Sequence, residues 1–174
     1  FGKAMNIKLR WIVLTGLTVL AIVTGYKNYT QGAGEMTAVN ITTIDQKQIS
    51  FADWQKQGKV TVVNFWATSC STCVKEMPDM VKMYQALEPK GLAYVGIAMD
   101  YDNPAYVKNY VADQALPFPI AWDSTGQLSK QFGNIIGTPT TFIIDKQGKI
   151  IKRYVGIPDW AEMYAVIEKA LAEA

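Results

Sequence analysis

Two cysteines, Cys70 and Cys73, have the spacing of a redox-active pair, and they are the only cysteines in this chain of 174 residues. They lie where the apolar, β-branched run over 60–66 gives way to a helical repeat of apolar residues. A thiol at the N-terminus of a helix is stabilised as the thiolate by unpaired N–H groups and by the helix dipole. We therefore expect Cys70 to be the nucleophile, and Cys73 to close a disulfide with it or to resolve a mixed disulfide.

Other uses of a Cys-x-x-Cys pair fit this sequence less well. A structural zinc site needs four ligands, and the chain has no histidine and no further cysteine. Attachment of a c-type haem needs His after the second cysteine, where this chain has Val74. A purely structural disulfide stays an alternative, although so short a loop contributes little closure entropy. The pattern favours a redox-active dithiol that needs no cofactor.

The elements that position the cysteines follow from apolar periodicity. The run over 60–66 predicts a strand that is buried on both faces. Met77, Met80 and Tyr84 recur at three and four residues, which predicts a helix to about Leu87 that Pro78 should kink. The next apolar run, over 92–99, predicts a second buried strand, parallel to the first.

The rest of the chain predicts a mixed α/β sheet with helices on both faces. The predicted elements are a hairpin over 37–44 and 48–51, a short turn over 53–58, helices over 104–114, 126–132 and 158–174, and strands over 117–123, 140–145 and 149–155.

Two motifs are similar to those of thioredoxin-like proteins. One is the segment 63–73, with Pro78 five residues after the second cysteine, and the other is the segment 137–145. Within that superfamily the chain resembles the TlpA/ResA-like, membrane-anchored thiol-disulfide oxidoreductases over 37–174. The resemblance implies a thioredoxin fold with an N-terminal β-hairpin and a central helix-strand insert. Ser69 departs from the Trp usual in the family, and the dipeptide between the cysteines lacks the usual Pro.

The resemblance also implies a substrate-binding segment at Thr138-Pro139. In thioredoxins the equivalent proline is cis, and the backbone of its neighbour offers hydrogen bonds to an extended peptide. The alternative is a trans proline that simply begins a strand. Trp66, expected in the core or in the wall of the cleft, completes the candidate substrate-binding set.

Glu76 is the third candidate catalytic residue, beside Cys70 and Cys73. It lies three residues after Cys73, one helical turn away, and the ResA-like branch has an acid in this place. A carboxylate there would raise the pKa of the thiols by like charge and could relay protons. The alternative is an exposed acid in the first helical turn. Asn64 occupies the place of a buried, titrating Asp in thioredoxins, and it cannot titrate.

The first 26 residues predict an export signal or a membrane anchor. Lys8 and Arg10 precede an uncharged run over 11–26, which would span about 24 Å as a helix. A cleaved signal peptide and a buried core helix are the alternatives to a retained anchor. The expected organisation is a cytoplasmic stub with the transmembrane segment over 1–26, a linker over 27–36 and a catalytic domain over 37–174. This organisation would make the chain a single-pass protein of the inner membrane, with the catalytic domain in the periplasm or outside the cell.

Charge and resemblance together indicate the partners. Three of the 17 basic residues lie in 1–26, which leaves 14 basic against 15 acidic residues and argues against nucleic acid. The leading function is an extracytoplasmic reductase of protein disulfides that is supplied by a membrane thiol electron donor. The resemblance points to apocytochrome c or copper-centre assembly proteins as clients. A disulfide-forming oxidant and a non-catalytic copper-handling module are the alternatives.

Overall fold

A computed structural model describes residues 36–173, which form seven strands and five α-helices. The strands are β1 (Asn40–Thr42), β2 (Gln48–Ser50), β3 (Val60–Trp66), β4 (Leu92–Ala98), β5 (Ile120–Trp122), β6 (Thr140–Ile144) and β7 (Ile150–Val155). The helices are α1 (Phe51–Lys56), α2 (Ser71–Leu87), α3 (Pro104–Asp113), α4 (Gln127–Gln131) and α5 (Trp160–Ala172).

Strand β3 is the centre of a five-stranded sheet with the order β5-β4-β3-β6-β7. Every residue of β3 is buried, as its apolar composition predicts. It pairs in parallel with β4 and antiparallel with β6, so the predicted mixed sheet is confirmed. Strands β1 and β2 form the predicted N-terminal hairpin as a separate two-stranded sheet. The α3–β5 segment, between β4 and β6, is the expected helix-strand insert.

Two hydrophobic cores lie on opposite faces of the sheet. Alternate residues of β3 contribute to each: Val62 and Trp66 pack on one face, and Val63 and Phe65 pack on the other. The first face is covered by residues of α2, α3 and α5, and the second by the hairpin, α1 and α4. Helices therefore lie on both faces of the sheet, as predicted.

Helix α2 presents a buried stripe to the first core and begins at the dithiol. Met77, Met80, Met83 and Leu87 are buried at helical spacing. Pro78 lies on the exposed side, and the helix runs as one element from Ser71 to Leu87.

The segment predicted as a turn over 53–58 is instead the short helix α1. Ser50 caps it by accepting a hydrogen bond from the Asp53 N–H at 3.4 Å. A helix of six residues is too short to show a clear apolar period, which is why the sequence pattern did not reveal it. Gly58, in the left-handed region with φ 66°, turns the chain toward β3.

The predicted anchor over 1–26 and most of the predicted linker lie outside the described residues. Met36, the last residue of that linker, is already buried, and its N–H donates to the Gly148 carbonyl at 2.9 Å. Within 36–173, no helix has both the length and the apolar character to cross a membrane.

Candidate active site

Cys70 and Cys73 form a disulfide at the start of α2, with their Cα atoms 5.2 Å apart. Cys70 is the N-cap of the helix, and the Cys73 N–H donates to the Cys70 Sγ at 3.1 Å. Cys70 is partly exposed, whereas Cys73 is completely buried. An incoming disulfide can therefore reach the Cys70 sulfur and not the other, and the N–H that points at this sulfur would stabilise its thiolate.

The segment with Thr138 and Pro139 lies directly beside the dithiol. Antiparallel pairing of β6 with β3 brings it there, because β6 begins where β3 ends. The Thr138–Pro139 peptide bond is cis, as the resemblance implied. The Thr138 carbonyl oxygen is 3.5 Å from the Cys70 Sγ, and the Gly156 N–H donates to the Pro139 carbonyl at 2.8 Å. Thr138 and Pro139 are thus brought together with the nucleophilic sulfur.

Glu76 lies inside the protein, with 1% of its surface exposed. The alternative of an exposed first-turn acid is therefore wrong. Burial raises the pKa of Glu76 to about 7, although a hydrogen bond from Asn64 Nδ2 to Glu76 Oε1, at 3.0 Å, opposes the rise. A group with this pKa is partly protonated and partly ionised near neutral pH, which is the range in which a proton relay is useful.

Asn64 connects Glu76 to the neighbouring strand. Its Nδ2 also donates to Thr141 Oγ1 at 2.9 Å, so one amide group contacts both α2 and β6. The other oxygens of the pair, Asn64 Oδ1 and Glu76 Oε2, are buried without a partner among the described residues. Asn64 does not titrate, but it holds the side chain that does.

Trp66, by contrast, has no surface to offer a substrate. Its side chain is fully buried, with its ring centroid 5.3 Å from that of Tyr110 on α3. Alternation along β3 directs position 66 into the core that α2 and α3 cover. Of the two places expected for Trp66, the core and the cleft wall, the structure shows the core, and the buried ring cannot contact a substrate.

Two neighbouring residues that the sequence did not single out also contact the site. The Tyr101 hydroxyl is 3.2 Å from Thr138 Oγ1, and the Asp102 carboxylate accepts hydrogen bonds from Thr68, two residues before Cys70. Both lie in the loop between β4 and α3, just before the helix predicted over 104–114. Thr68 and Asp102 are 34 residues apart, and no local pattern relates them.

The described residues contain no group of three or more His, Cys, Asp or Glu side chains arranged to hold a metal ion. Cys70 and Cys73 are paired with each other.

Comparison with known proteins identifies the family. The chain matches the Redoxin family over residues 32–171. It is 39% identical over 116 residues to the thiol-disulfide oxidoreductase ResA of Bacillus thuringiensis subsp. konkukian, which covers 67% of this chain and 65% of that protein. It is 32% identical to ResA of B. thuringiensis strain Al Hakam, with 83% of each chain covered.

The fold is also similar to that of solved structures. One is a thiol:disulfide interchange protein of the thioredoxin family from Chlorobium tepidum, with TM-score 0.71, 33% identity, and coverage of 79% of this chain and 96% of that one. The chain therefore belongs to the Redoxin family, and its thioredoxin-fold domain, with the close pair Cys70 and Cys73, is similar to that of the thiol-disulfide oxidoreductases named ResA.

Proposed function

We propose that the protein reduces disulfides of exported client proteins, with Cys70 as the attacking thiol. The observation that carries this proposal is the difference in exposure within the pair: Cys70 is partly exposed and Cys73 is buried. The Cys70 thiolate attacks one sulfur of the client disulfide, and the other client sulfur leaves as a thiolate. Cys73 then attacks Cys70, releases the second client thiolate and leaves the Cys70–Cys73 disulfide. The client gains two electrons, and the thiolates take up protons from the solvent or from Glu76.

The segment with Thr138 and Pro139 is proposed to hold the client. An extended peptide beside this segment would place its cysteine near the Cys70 Sγ, which already lies 3.5 Å from the Thr138 carbonyl. Backbone hydrogen bonds of this kind do not depend on the client's side chains, and they suit a substrate that is recognised as an unfolded or extended chain.

Glu76 supports the reducing direction over the oxidising one. A dithiol becomes a strong oxidant when its thiolate is stabilised, because the reduced form is then favoured. A buried carboxylate one helical turn from Cys73 acts in the opposite sense when ionised, since like charge disfavours the thiolate. We propose that the same carboxylate, one helical turn after Cys73, accepts the proton of Cys73 as that thiol attacks the mixed disulfide.

Cysteine variants test the assignment of roles. Cys70→Ser should abolish the reduction of a cysteine-containing peptide disulfide, whereas Cys73→Ser should attack once and accumulate the mixed disulfide, which mass spectrometry would detect at Cys70. A mixed disulfide found on Cys73 in the Cys70→Ser variant would reverse the roles.

The direction of transfer is tested by the reduction potential of the Cys70–Cys73 pair. A value near that of thioredoxin, about −270 mV, fits a reductase, and one near about −120 mV would favour the oxidant. Trapping with Cys73→Ala in the native host would identify the clients, for which we propose apocytochrome c or copper-centre assembly proteins. A membrane thiol carrier is proposed as the electron donor.

We further propose that the chain is held in the inner membrane by residues 1–26, with the catalytic domain outside the cytoplasm. The support is the basic start and uncharged run of that segment. The full chain should sediment with membranes and be released by detergent but not by high salt. A mature N-terminus near Tyr26 would show cleavage and remove the anchor from the proposal.

A further inference from the structure

We propose that Asp102 is a positioning residue for the attacking thiol, and that it acts by holding the turn that carries Cys70 through two hydrogen bonds to Thr68. The proposal rests on the attacking role of Cys70 given above. It adds a component of the site that lies on neither the dithiol segment nor the proline segment.

The Asp102 carboxylate binds both donors of a single residue. Its Oδ2 accepts from the Thr68 N–H at 2.6 Å, and its Oδ1 accepts from the Thr68 hydroxyl at 2.6 Å. Asp102 is only 5% exposed and Thr68 is half-buried, so these bonds are partly shielded from water. Charge-assisted hydrogen bonds in such surroundings are among the stronger ones in proteins.

The carboxylate itself is held from the other side. Its Oδ1 also accepts from the Asn103 N–H at 3.0 Å, and the Asn103 side chain caps α3 by accepting from the Ala105 N–H at 2.9 Å. The Asp102 N–H donates to the Met99 carbonyl, and the Met99 N–H donates to the Trp66 carbonyl at the end of β3, both at 3.0 Å. The loop is therefore fixed to β3 and to the start of α3, and it provides a rigid support for Thr68.

Thr68 is the second residue of the turn that ends at the nucleophile. The Cys70 N–H donates to the Ala67 carbonyl at 3.2 Å and closes this turn, while Ser69 in between is exposed. Cys70 must keep its sulfur in line with the Cys73 N–H, at 3.1 Å. If Thr68 were released, the turn could move and that alignment would be lost, which destabilises the thiolate.

A positioning role and a simple charge effect predict opposite results, and this makes the proposal testable. Removing a negative charge near the turn would by itself lower the pKa of Cys70 and speed its reaction at mildly acidic pH. Losing the alignment with the Cys73 N–H would raise that pKa and slow the reaction. The other titratable side chains near the turn are Cys73 and Glu76 on α2 and Tyr101 on the same loop, and the substitution changes none of them.

The experiment compares the alkylation rate of Cys70 in the reduced protein from pH 5 to pH 9, with the labelled residue identified by mass spectrometry. Asp102→Asn should raise the apparent pKa of Cys70 and slow its labelling at pH 6 by about fivefold. That factor corresponds to the loss of about 1 kcal/mol of thiolate stabilisation at 25 °C. The matched control is Asp123→Asn. Asp123 is equally buried, at 3%, and accepts the Leu128 and Ser129 N–H groups at 3.1 and 2.8 Å, but at the start of α4.

The control should lose stability and keep a labelling rate within about twofold of the parent. A rate for Asp102→Asn that is unchanged, or that rises with a lowered pKa, overturns the proposal. If Asp102→Asn does not fold, the test uses Thr68→Val, which removes only the hydroxyl contact. A Cys70 labelling rate in that variant within about twofold of the parent then overturns the proposal. Labelling of Cys73 before Cys70 in the parent would instead refute the roles proposed above, so the two failures are distinguishable.

Discussion

Replacing Glu76 by Gln should make the protein more stable at alkaline pH and leave its stability at acidic pH nearly unchanged. Glu76 has an ordinary pKa of 4.5 when unfolded, and burial raises the folded pKa to about 7. Between these values the folded protein binds a proton that the unfolded chain has lost. The free energy of unfolding therefore has its full Glu76 contribution below about pH 4.5 and loses it as the pH rises through about 7.

The size of this effect follows from the two pKa values. The difference between 4.5 and about 7 corresponds to about 3 kcal/mol of unfolding free energy, which should be lost almost entirely by about pH 8. Gln has nearly the shape of the protonated acid and keeps an oxygen to accept the Asn64 amide. The variant should thus match the parent at about pH 4 and exceed it by up to about 3 kcal/mol at about pH 8.

Urea unfolding of the disulfide form measures this difference without thiol titration. At pH 8 the midpoint of Glu76→Gln should lie about 1 to 2 M above that of the parent. Glu88→Gln, at an exposed position, controls for the loss of one negative charge in itself. If the unfolding free energies of Glu76→Gln and the parent differ by the same amount at every pH, the buried carboxyl does not titrate near neutrality and the reasoning is refuted.

Three further outcomes are expected. Glu76→Gln should lower the apparent pKa of the dithiol, measured for Cys70 and Cys73 as a coupled pair. It should also slow thiol-disulfide exchange near neutral pH because the proposed proton acceptor is gone, and an unaltered pH–rate profile would count against this. Asn64→Ala should raise the pKa of Glu76 beyond about 7, because the lost hydrogen bond favoured the ionised form. In the same urea series, the loss of unfolding free energy linked to Glu76 should then occur at a higher pH than in the parent. Gly96→Ala should lower the unfolding free energy by about 1 to 3 kcal/mol, because the Cβ of the new alanine would lie 2.5 Å from Ile120 Cδ1. A thermal unfolding midpoint equal to that of the parent would contradict this.

The long periodic elements could be predicted from the sequence because their signals are local. The β-branched run of β3 and the apolar repeat of α2 each determine one element, and the strand-helix-strand spacing determines the parallel pairing of β3 with β4. The hairpin β1–β2 was confirmed as well. Helix α1 was not found, since six residues do not complete two helical turns.

Only those features of the site that depend on residues close together in the sequence could be predicted. Spacing placed Glu76 beside Cys73, but whether a charged residue in the first turns of a helix is buried depends on what packs over it, here β3 with Asn64. For a related reason the sequence left Trp66 open between the core and the cleft wall, because a strand that is apolar on both faces gives no sign of which side chains reach a cleft. Asp102 is connected to Thr68 only through the tertiary fold.

The acid and the two sulfurs belong to the same helix, and this fixes their separation. Three residues along an α-helix correspond to about 4.5 Å of rise, whatever the rest of the domain does. The separation of an acid on β3, in the position of Asn64, from the cysteines would depend on how α2 packs on the sheet. Glu76 instead travels with the dithiol. In the mechanism proposed above, the spacing between the resolving thiol and the proton acceptor is therefore set mainly by the geometry of α2. A segment from Cys70 to Glu76 would then carry all three groups together into another scaffold.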